Sequence, residues 1–344
     1  MRAVRMTAPG VLEHTEVPTP KAGPGEVLLR VGAVGACHSD LHILDAPAGV
    51  FPVPITLGHE VAGTVDTVGA GVDGWSPGDR TAVYGIIGCG RCRACLRGEE
   101  NRCRVTPVGG IGLSRDGGLA EYVVVPASRL LPVGDMDLTQ AAPLTDAGLT
   151  PYHAVDLARP RLRPGTSCVV IGIGGLGHMG VQILLATTAV RVVAVDTSTA
   201  ALDLATRLGA HHTVQAGPDA VEKIRELVGP APDGADVVLD FVGAQPTLDT
   251  ARQVVATGGQ ILLVGLAGGT LPVRPVADEP PPVPFEAGVV VPFWGTRAEL
   301  QEVIALAHDG RLHADVQTFP LAEAPQAYEA LRRGEVRGRA VIVP

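Results

Sequence analysis

Residues 168–177 read CVVIGIGGLG, an apolar run that ends in a glycine-rich hexapeptide, and HMGVQILL continues it with helical spacing. Few local patterns restrict a fold as tightly. Strand, Gly-x-Gly-x-x-Gly turn, helix, a second apolar strand RVVAV and then Asp196 follow one another at the spacing of a dinucleotide-binding βαβ unit. Gly172 permits the tight turn, Gly174 lets the backbone approach a pyrophosphate, and Gly177 allows helix and strand to pack closely. Gly175 and Leu176 complete the loop, and the helix N-terminus offers free N–H donors. Asp196 can accept hydrogen bonds from both ribose hydroxyls and would repel a 2′-phosphate. No Arg or Lys occurs in the TSTAAL that follows it, so NAD is expected rather than NADP. The competing reading is a glycine turn without ligand, with Asp196 as a helix N-cap. Phe241, Val242, Val264 and Gly265 come just after the apolar runs VVLD and QILL, at strand carboxyl ends where such a sheet takes its ligand, and are expected on the nicotinamide side.

The surrounding pattern agrees. From about residue 167, strand-sized apolar runs alternate with helix-length segments: SCVVIG, LGHMGVQILLAT, RVVAVD, TAALDLATRLG, then ADVVLDFVG, TLDTARQVVAT and QILLVG. That alternation implies a doubly wound α/β domain around a parallel sheet. Up to about residue 147, short β-type runs punctuated by Gly and Pro dominate, at 27–35, 61–69, 81–85 and 120–126. The proline-dense stretch 271–288 cannot be a central strand or a regular helix and is expected as a loop. Residues 296–310 predict an amphipathic helix with Leu300, Val303, Ile304 and Ala307 on one face, and 339–344 a closing strand. A chain of 344 residues exceeds one ordinary core, so two domains are expected.

Composition narrows the partners. Hydrophobic residues make up 46% and charged residues 18%, which supplies apolar material for two cores and lacks the signature of disorder. Lys+Arg number 27 against Asp+Glu 36, a net charge of −9, and no basic run stands ready to meet a phosphate backbone. No nucleic-acid partner is expected. No apolar run reaches the length of a membrane span or a signal segment, so the expectation is a cytoplasmic protein with no membrane partner.

Four of the six cysteines fall in CGRCRACLRGEENRC, spaced C-x2-C-x2-C-x7-C at Cys89, Cys92, Cys95 and Cys103. A reducing compartment disfavours disulfides and favours metal ligation. Four thiolates match a closed, structural zinc site, whereas a catalytic zinc keeps a position open for water or substrate. An iron–sulfur cluster is the competing occupant. Chemistry therefore needs a second, incomplete set of ligands, and Cys37 with His59 can begin one. Singly, either residue reads as an inert buried thiol or a core histidine.

In this order, CHSDLH (37–42), GHE-x2-G-x5-G-x2-V (58–72), the cysteine lobe, GIGGLG and LTDAGLTPYHA (144–154) resemble the zinc-containing medium-chain alcohol dehydrogenases over essentially the whole chain. The resemblance implies a Rossmann domain joined to a GroES-like, mostly-β catalytic domain. Its boundaries would be 1–147 for the catalytic domain with a zinc lobe at 85–107, 148–292 for the NAD-binding domain, and 293–344 for a return to the first. It implies Cys37, His59 and Asp146 as ligands of a catalytic zinc, Glu60 behind or intermittently on the metal, and Asp40 orienting His59. Many relatives carry Cys at the position of Asp146 and others Asp; read alone, Asp146 is also a fair helix N-cap. His38 is implied at the pyrophosphate, and Ser39 and His42 as a proton relay. Leu41, Phe51 and Trp294 are candidate walls of a substrate pocket, although Trp294 reads equally as packing.

The implied activity is hydride transfer between an alcohol, expected to be secondary, and NAD, yielding a ketone or aldehyde. Two zinc ions per subunit and a homodimer or homotetramer go with it. Two other readings stay open at this point. One is a zinc-family reductase of an iminium or conjugated double bond, which has less need of Ser39 and His42. The other is a non-catalytic interaction protein that keeps NAD binding and holds only one zinc.

Overall fold

The computed structural model describes residues 1–106, 109–229, 233–274 and 281–344. The chain divides into two compact units, Met1–Leu149 with Gly295–His308 and His313–Pro344, and Thr150–Trp294 with Asp309–Leu312.

The second unit is built on a six-stranded sheet whose neighbours run His212–Gln215, Arg191–Asp196, Ser167–Ile171, Ala235–Asp240, Val255–Leu263 and Gly288–Val290. Every pairing in it is parallel. Numbered along the chain from Ser167, the order is 3-2-1-4-5-6, that of a dinucleotide-binding doubly wound sheet. Its central strands are buried along their length because helices cover such a sheet, and Val169, Ile171, Val193, Val195, Val238 and Ile261 share one core cluster. That burial explains their continuous apolar sequence.

Two local expectations change. The helix expected through residue 257 ends at Val254, and Val255 opens the next strand by pairing with Ala235. The β-branched run V-V-A-T suits the sheet better than a fourth helical turn. The proline-dense stretch is loop at 271–274, while its residues 275–280 lie outside the described ones. Its last residue, Gly288, already belongs to a strand, pairing with Gln260 once the prolines have ended.

The first unit carries a seven-stranded sheet. Val316–Pro320, Arg339–Val343, Glu26–Gly35, Glu60–Val68, Arg80–Val83 and Leu130–Pro132 lie in that order, and Tyr122–Pro126 also pairs with Glu26–Gly35. A separate three-stranded sheet joins Val11–Glu16, Arg2–Ala8 and Ile55–Thr56. One register places the site. Gly35 lies between Glu60 on one neighbour and Val341 on the other, so the C-terminal strand faces the start of the Glu60 strand across Gly35. Gly35 has to be glycine, since a Cβ there would sit 1.8 Å from the Glu60 Oε2 atom. Among the described residues, no helix is long and apolar enough to cross a membrane.

Candidate active site

Four buried side chains of the first unit, Cys37, His59, Glu60 and Asp146, bring one ligand atom each within 4.8 Å of one another. Each arrives by a distinct local device. Cys37 is the N-cap of the short helix His38–Leu44, and Asp40, three residues on, accepts the Cys37 N–H at 3.0 Å, as in a capping box. His59 follows Gly58, whose φ of 90° and crowding by Val34 and Leu119 admit no side chain. Asp146 projects from a π-helical turn, Leu144–Gly148, which follows Pro143. Proline cannot donate to the preceding turn, and such wide turns recur at functional sites. Asp146 is therefore not the N-cap it could have been; that role falls to Asp137, which accepts the Thr139 N–H at 2.9 Å.

The distances suit zinc. Asp146 Oδ2 lies 3.5 Å from Cys37 Sγ and 3.5 Å from His59 Nε2. Bond lengths to thiolate, imidazole and carboxylate give a tetrahedron with S···O and N···O edges of about 3.6 and about 3.4 Å. Behind these donors, Asp40 Oδ1 meets His59 Nδ1 at 3.1 Å, which turns Nε2 toward Asp146 and Cys37. Burial opposes a proton on His59, but the Asp40 charge and hydrogen bonds with Asp146, Asp40 and Cys37 outweigh it, so the ring pKa stands well above its ordinary value.

Glu60 is turned to a residue absent from the sequence reading. Arg339 donates through Nε to Glu60 Oε2 at 3.0 Å and through Nη2 to Oε1, and both side chains are buried. Burial raises the Glu60 carboxyl to about 7, against the lowering effect of Arg339. Arg339 also lies 3.8 Å from Asp146 Oδ2. The only signal for it was a charged residue heading an otherwise apolar closing strand. Tyr328, whose hydroxyl donates to Asp40 Oδ2 at 2.9 Å, carried no sequence signal.

Ser39 and His42 stand one helical turn apart on His38–Leu44, a spacing that puts them on one face. Ser39 Oγ is 3.5 Å from Cys37 Sγ, while His38 and His42 are exposed. Of the candidate pocket residues, Leu41 is buried on the same helix, and Phe51 lines a recess with Met6, Pro9, Ile43 and Val53. Trp294 belongs to the second unit, buried, with a φ of 52° and edge-on to Phe293.

The cysteine lobe holds its own centre. Cys92 Sγ lies 3.5 Å from Cys95 Sγ and 4.0 Å from Cys103 Sγ, and Cys89 lies 4.0 Å from Cys95. A tetrahedral zinc with bonds of 2.3 Å has S···S edges of about 3.8 Å. All six cysteines are free, which removes the disulfide reading. An iron–sulfur cluster would spread its thiolates over several irons rather than onto a single ion. Thr106 donates its N–H to Cys103 Sγ at 3.3 Å, and its side chain leads the interactions that pull the Cys103 thiol down to about 5. Thiolate is the form that a metal takes.

In the second unit the glycine loop behaves as its sequence requires. Gly172 has φ 86°, a Cβ on Gly177 would meet the Gly172 carbonyl oxygen at 1.8 Å, and a Cβ on Gly174 would stand in open space. The helix Gly177–Thr187 has no side-chain cap, so no side chain competes with a phosphate at its N-terminus. Asp196 accepts the Ile173 N–H at 2.7 Å and the Ser198 N–H at 2.8 Å, one on each oxygen. A second lone pair remains on each for the ribose hydroxyls. The helix after it is capped by Ser198 instead, which accepts from Ala201, so the N-cap reading of Asp196 falls away.

Phe241, Val242, Val264 and Gly265 are organised by one further residue missing from the sequence reading. Asp240 is fully buried; its Oδ1 accepts the N–H groups of Val242 and Gly243, its Oδ2 the Thr247 hydroxyl, and its carbonyl those of Val264 and Gly265. An acid closing an apolar strand, as at Asp196, was the available signal. Asp240→Ala removes the acceptor of the Val242 and Gly243 N–H groups, the second of them buried, while the Thr247 hydroxyl keeps the Ala244 carbonyl. We expect a loss of about 2 kcal/mol in urea unfolding together with weaker NAD binding by calorimetry.

A glycine-loop sheet in one unit, a closed four-thiolate centre and a mixed-donor centre in the other define a zinc-binding dehydrogenase of two domains. The comparisons with known proteins agree. Residues 23–135 match the alcohol dehydrogenase GroES-like domain, and residues 175–309 match the zinc-binding dehydrogenase domain. An NAD-dependent alcohol dehydrogenase of Sulfurisphaera tokodaii is 35% identical across 100% of both chains. An alcohol dehydrogenase of Geobacillus stearothermophilus is 34% identical across 96% of both. Among solved structures, the alcohol dehydrogenase of the hyperthermophilic archaeon Aeropyrum pernix superposes with a TM-score of 0.91 at 34% identity, covering 100% of both chains. The chain belongs to the zinc-containing medium-chain alcohol dehydrogenase family.

Proposed function

We propose that this protein is an NAD-dependent zinc alcohol dehydrogenase that oxidises a small alcohol, by our reading a secondary one, or reduces the matching ketone or aldehyde. The observation that carries it is the convergence of Cys37, His59 and Asp146 at ligating distances in a buried site, in a chain that also holds the glycine loop of residues 172–177. A zinc held by these donors would supply the Lewis acidity that makes an alcohol easier to deprotonate, and NAD held at the glycine loop would supply the hydride acceptor.

The chain's residues do the rest. Arg339 holds Glu60 away from direct competition, leaving three donors, the number found at a zinc that keeps a position for substrate. Asp40 orients His59. Ser39 takes the proton of the alcohol, and His42, at the exposed end of the helix, passes it to solvent. Asp196 selects NAD by offering two acceptors to the ribose hydroxyls and a negative charge against a 2′-phosphate. His38, on the same helix as the relay, takes the pyrophosphate.

Free thiols throughout and the lack of a membrane-length helix among the described residues support placing the protein in the cytoplasm. The strand Gly288–Val290 closes the nucleotide sheet with an edge whose Val289 and Val291 are exposed, which supports a homodimer, or a tetramer built from one, joined there.

A panel of primary and secondary alcohols and their carbonyl products, run with NAD(H) and NADP(H) in parallel, tests the reading. Secondary alcohols with NAD should give the highest kcat/KM, and His42→Ala should slow oxidation about 10-fold near neutral pH with less effect in alkali. Turnover confined to NADP would contradict the role given to Asp196, and no turnover of any carbonyl would remove the enzyme.

A further inference from the structure

Asp40 does more than meet one imidazole. Its carboxylate is fully buried, and three donors converge on it: His59 Nδ1 on Oδ1 at 3.1 Å, and the Cys37 N–H at 3.0 Å and the Tyr328 hydroxyl at 2.9 Å on Oδ2. One group thus fixes the ring of one candidate ligand and the backbone of another. The torsion that sets an aspartate carboxylate plane is soft and broad, so a carboxylate holds direction only when outside donors pin both oxygens. Cys37 cannot do this alone, since its own position is what has to be held. Tyr328 can. It comes from the helix Ala324–Arg332, is 2% exposed, and is set among Ala324, Ala327 and Leu331, which are buried on the same helix.

We propose that Tyr328 is a positioning residue of the metal centre: its hydroxyl locks the rotation of the Asp40 carboxylate and thereby holds Cys37 and His59 in ligating geometry. The inference rests on the reading of Cys37, His59 and Asp146 as zinc ligands. It also gives the C-terminal segment a part in the centre through a second residue, independent of Arg339. Removing the hydroxyl leaves the ring packing intact and frees Oδ2 to swing toward its one remaining donor. The cost appears in metal retention before it appears in folding.

The test follows zinc release from the two-zinc protein into a chelating dye, with the cysteine lobe as internal reference. Tyr328→Phe should speed release of one ion about 10-fold, the lower end for groups that orient metal ligands, and leave the other unchanged. Replacing Tyr328 with 3-fluorotyrosine, nearly the same shape and a stronger donor, should slow the same release. That arm keeps the test decisive even if Tyr328→Phe does not fold. Release at the wild-type rate from both altered proteins overturns the proposal, as does equal acceleration of both ions, the mark of general loosening. A wild-type chain that holds one zinc overturns the ligand reading itself, and this inference falls with it.

Discussion

Cys37→Ala should reduce bound zinc from two ions per chain to one, by elemental analysis of dialysed protein, and lower kcat/KM about 1,000-fold without unfolding the protein. The magnitude follows from the role of the site. Lewis-acid stabilisation is worth several kcal/mol, and about 4 kcal/mol is a factor of about 1,000 in rate. The fold should persist because the backbone of Cys37, not its thiol, joins the local structure: its N–H bonds Asp40 and its carbonyl accepts the Asp40 N–H. Alanine keeps both.

The same site should show a defined pH dependence. Asp40 and Asp146 hold the His59 pKa above its ordinary value against the opposing effect of burial, so a proton on the ring competes with zinc over a range that extends above the usual one. Zinc affinity must rise with pH through that range and binding must release protons, which a pH-indicator dye reads directly. In Cys37→Ala that component of the proton release should shrink, while the release due to the cysteine lobe persists. A variant that keeps two ions and full activity would remove Cys37 from the centre.

The sequence made the second unit more legible than the first, and the reason is periodicity. The strands around 168–171, 192–195, 237–240 and 260–263 are covered on both faces, so each appears as a continuous apolar word, and the turn between the first strand and its helix demands glycine at two positions for steric reasons. Arg339 and Asp240 carried only a charge at the end of an apolar strand, and Tyr328 no signal at all. Arg339 comes to Glu60 only through the register of Arg339–Val343 on Glu26–Gly35, a pairing of residues about 300 positions apart that no local pattern encodes. Tyr328 lies on an amphipathic helix, where a buried aromatic is indistinguishable from core until the partner of its hydroxyl is known. Asp146 was legible as a ligand only by resemblance, because its direction depends on the π turn after Pro143. Motifs show which atoms are available; long-range register decides which of them meet.

Cys103→Ser should have the largest effect on stability, and it separates a lobe held by metal from one held by packing. Between Cys89 and Cys103 only Asn101 and Cys103 are buried, while Leu96 is 74% exposed, so the lobe has almost no apolar core. Apart from the four sulfurs, Glu100 ties it to Arg129 at 3.1 Å, and Arg129 in turn lies over the Tyr84 ring and donates to the Ile86 carbonyl. One partly buried ion pair contributes little beside a structural zinc, whose binding in small zinc domains is worth about 10 kcal/mol or more. Serine removes the one buried thiol, together with the sulfur that accepts the N–H groups of Cys89 and Thr106. We expect one zinc to be lost and the lobe to open, with cleavage by trypsin at Arg91, Arg93, Arg97 or Arg102 rising about 1,000-fold, the equivalent of about 4 kcal/mol of local stability. The site around Cys37 should keep its own ion, because none of its donors comes from the lobe. Unchanged resistance to trypsin would mean that the chain, and not the metal, shapes residues 89–103.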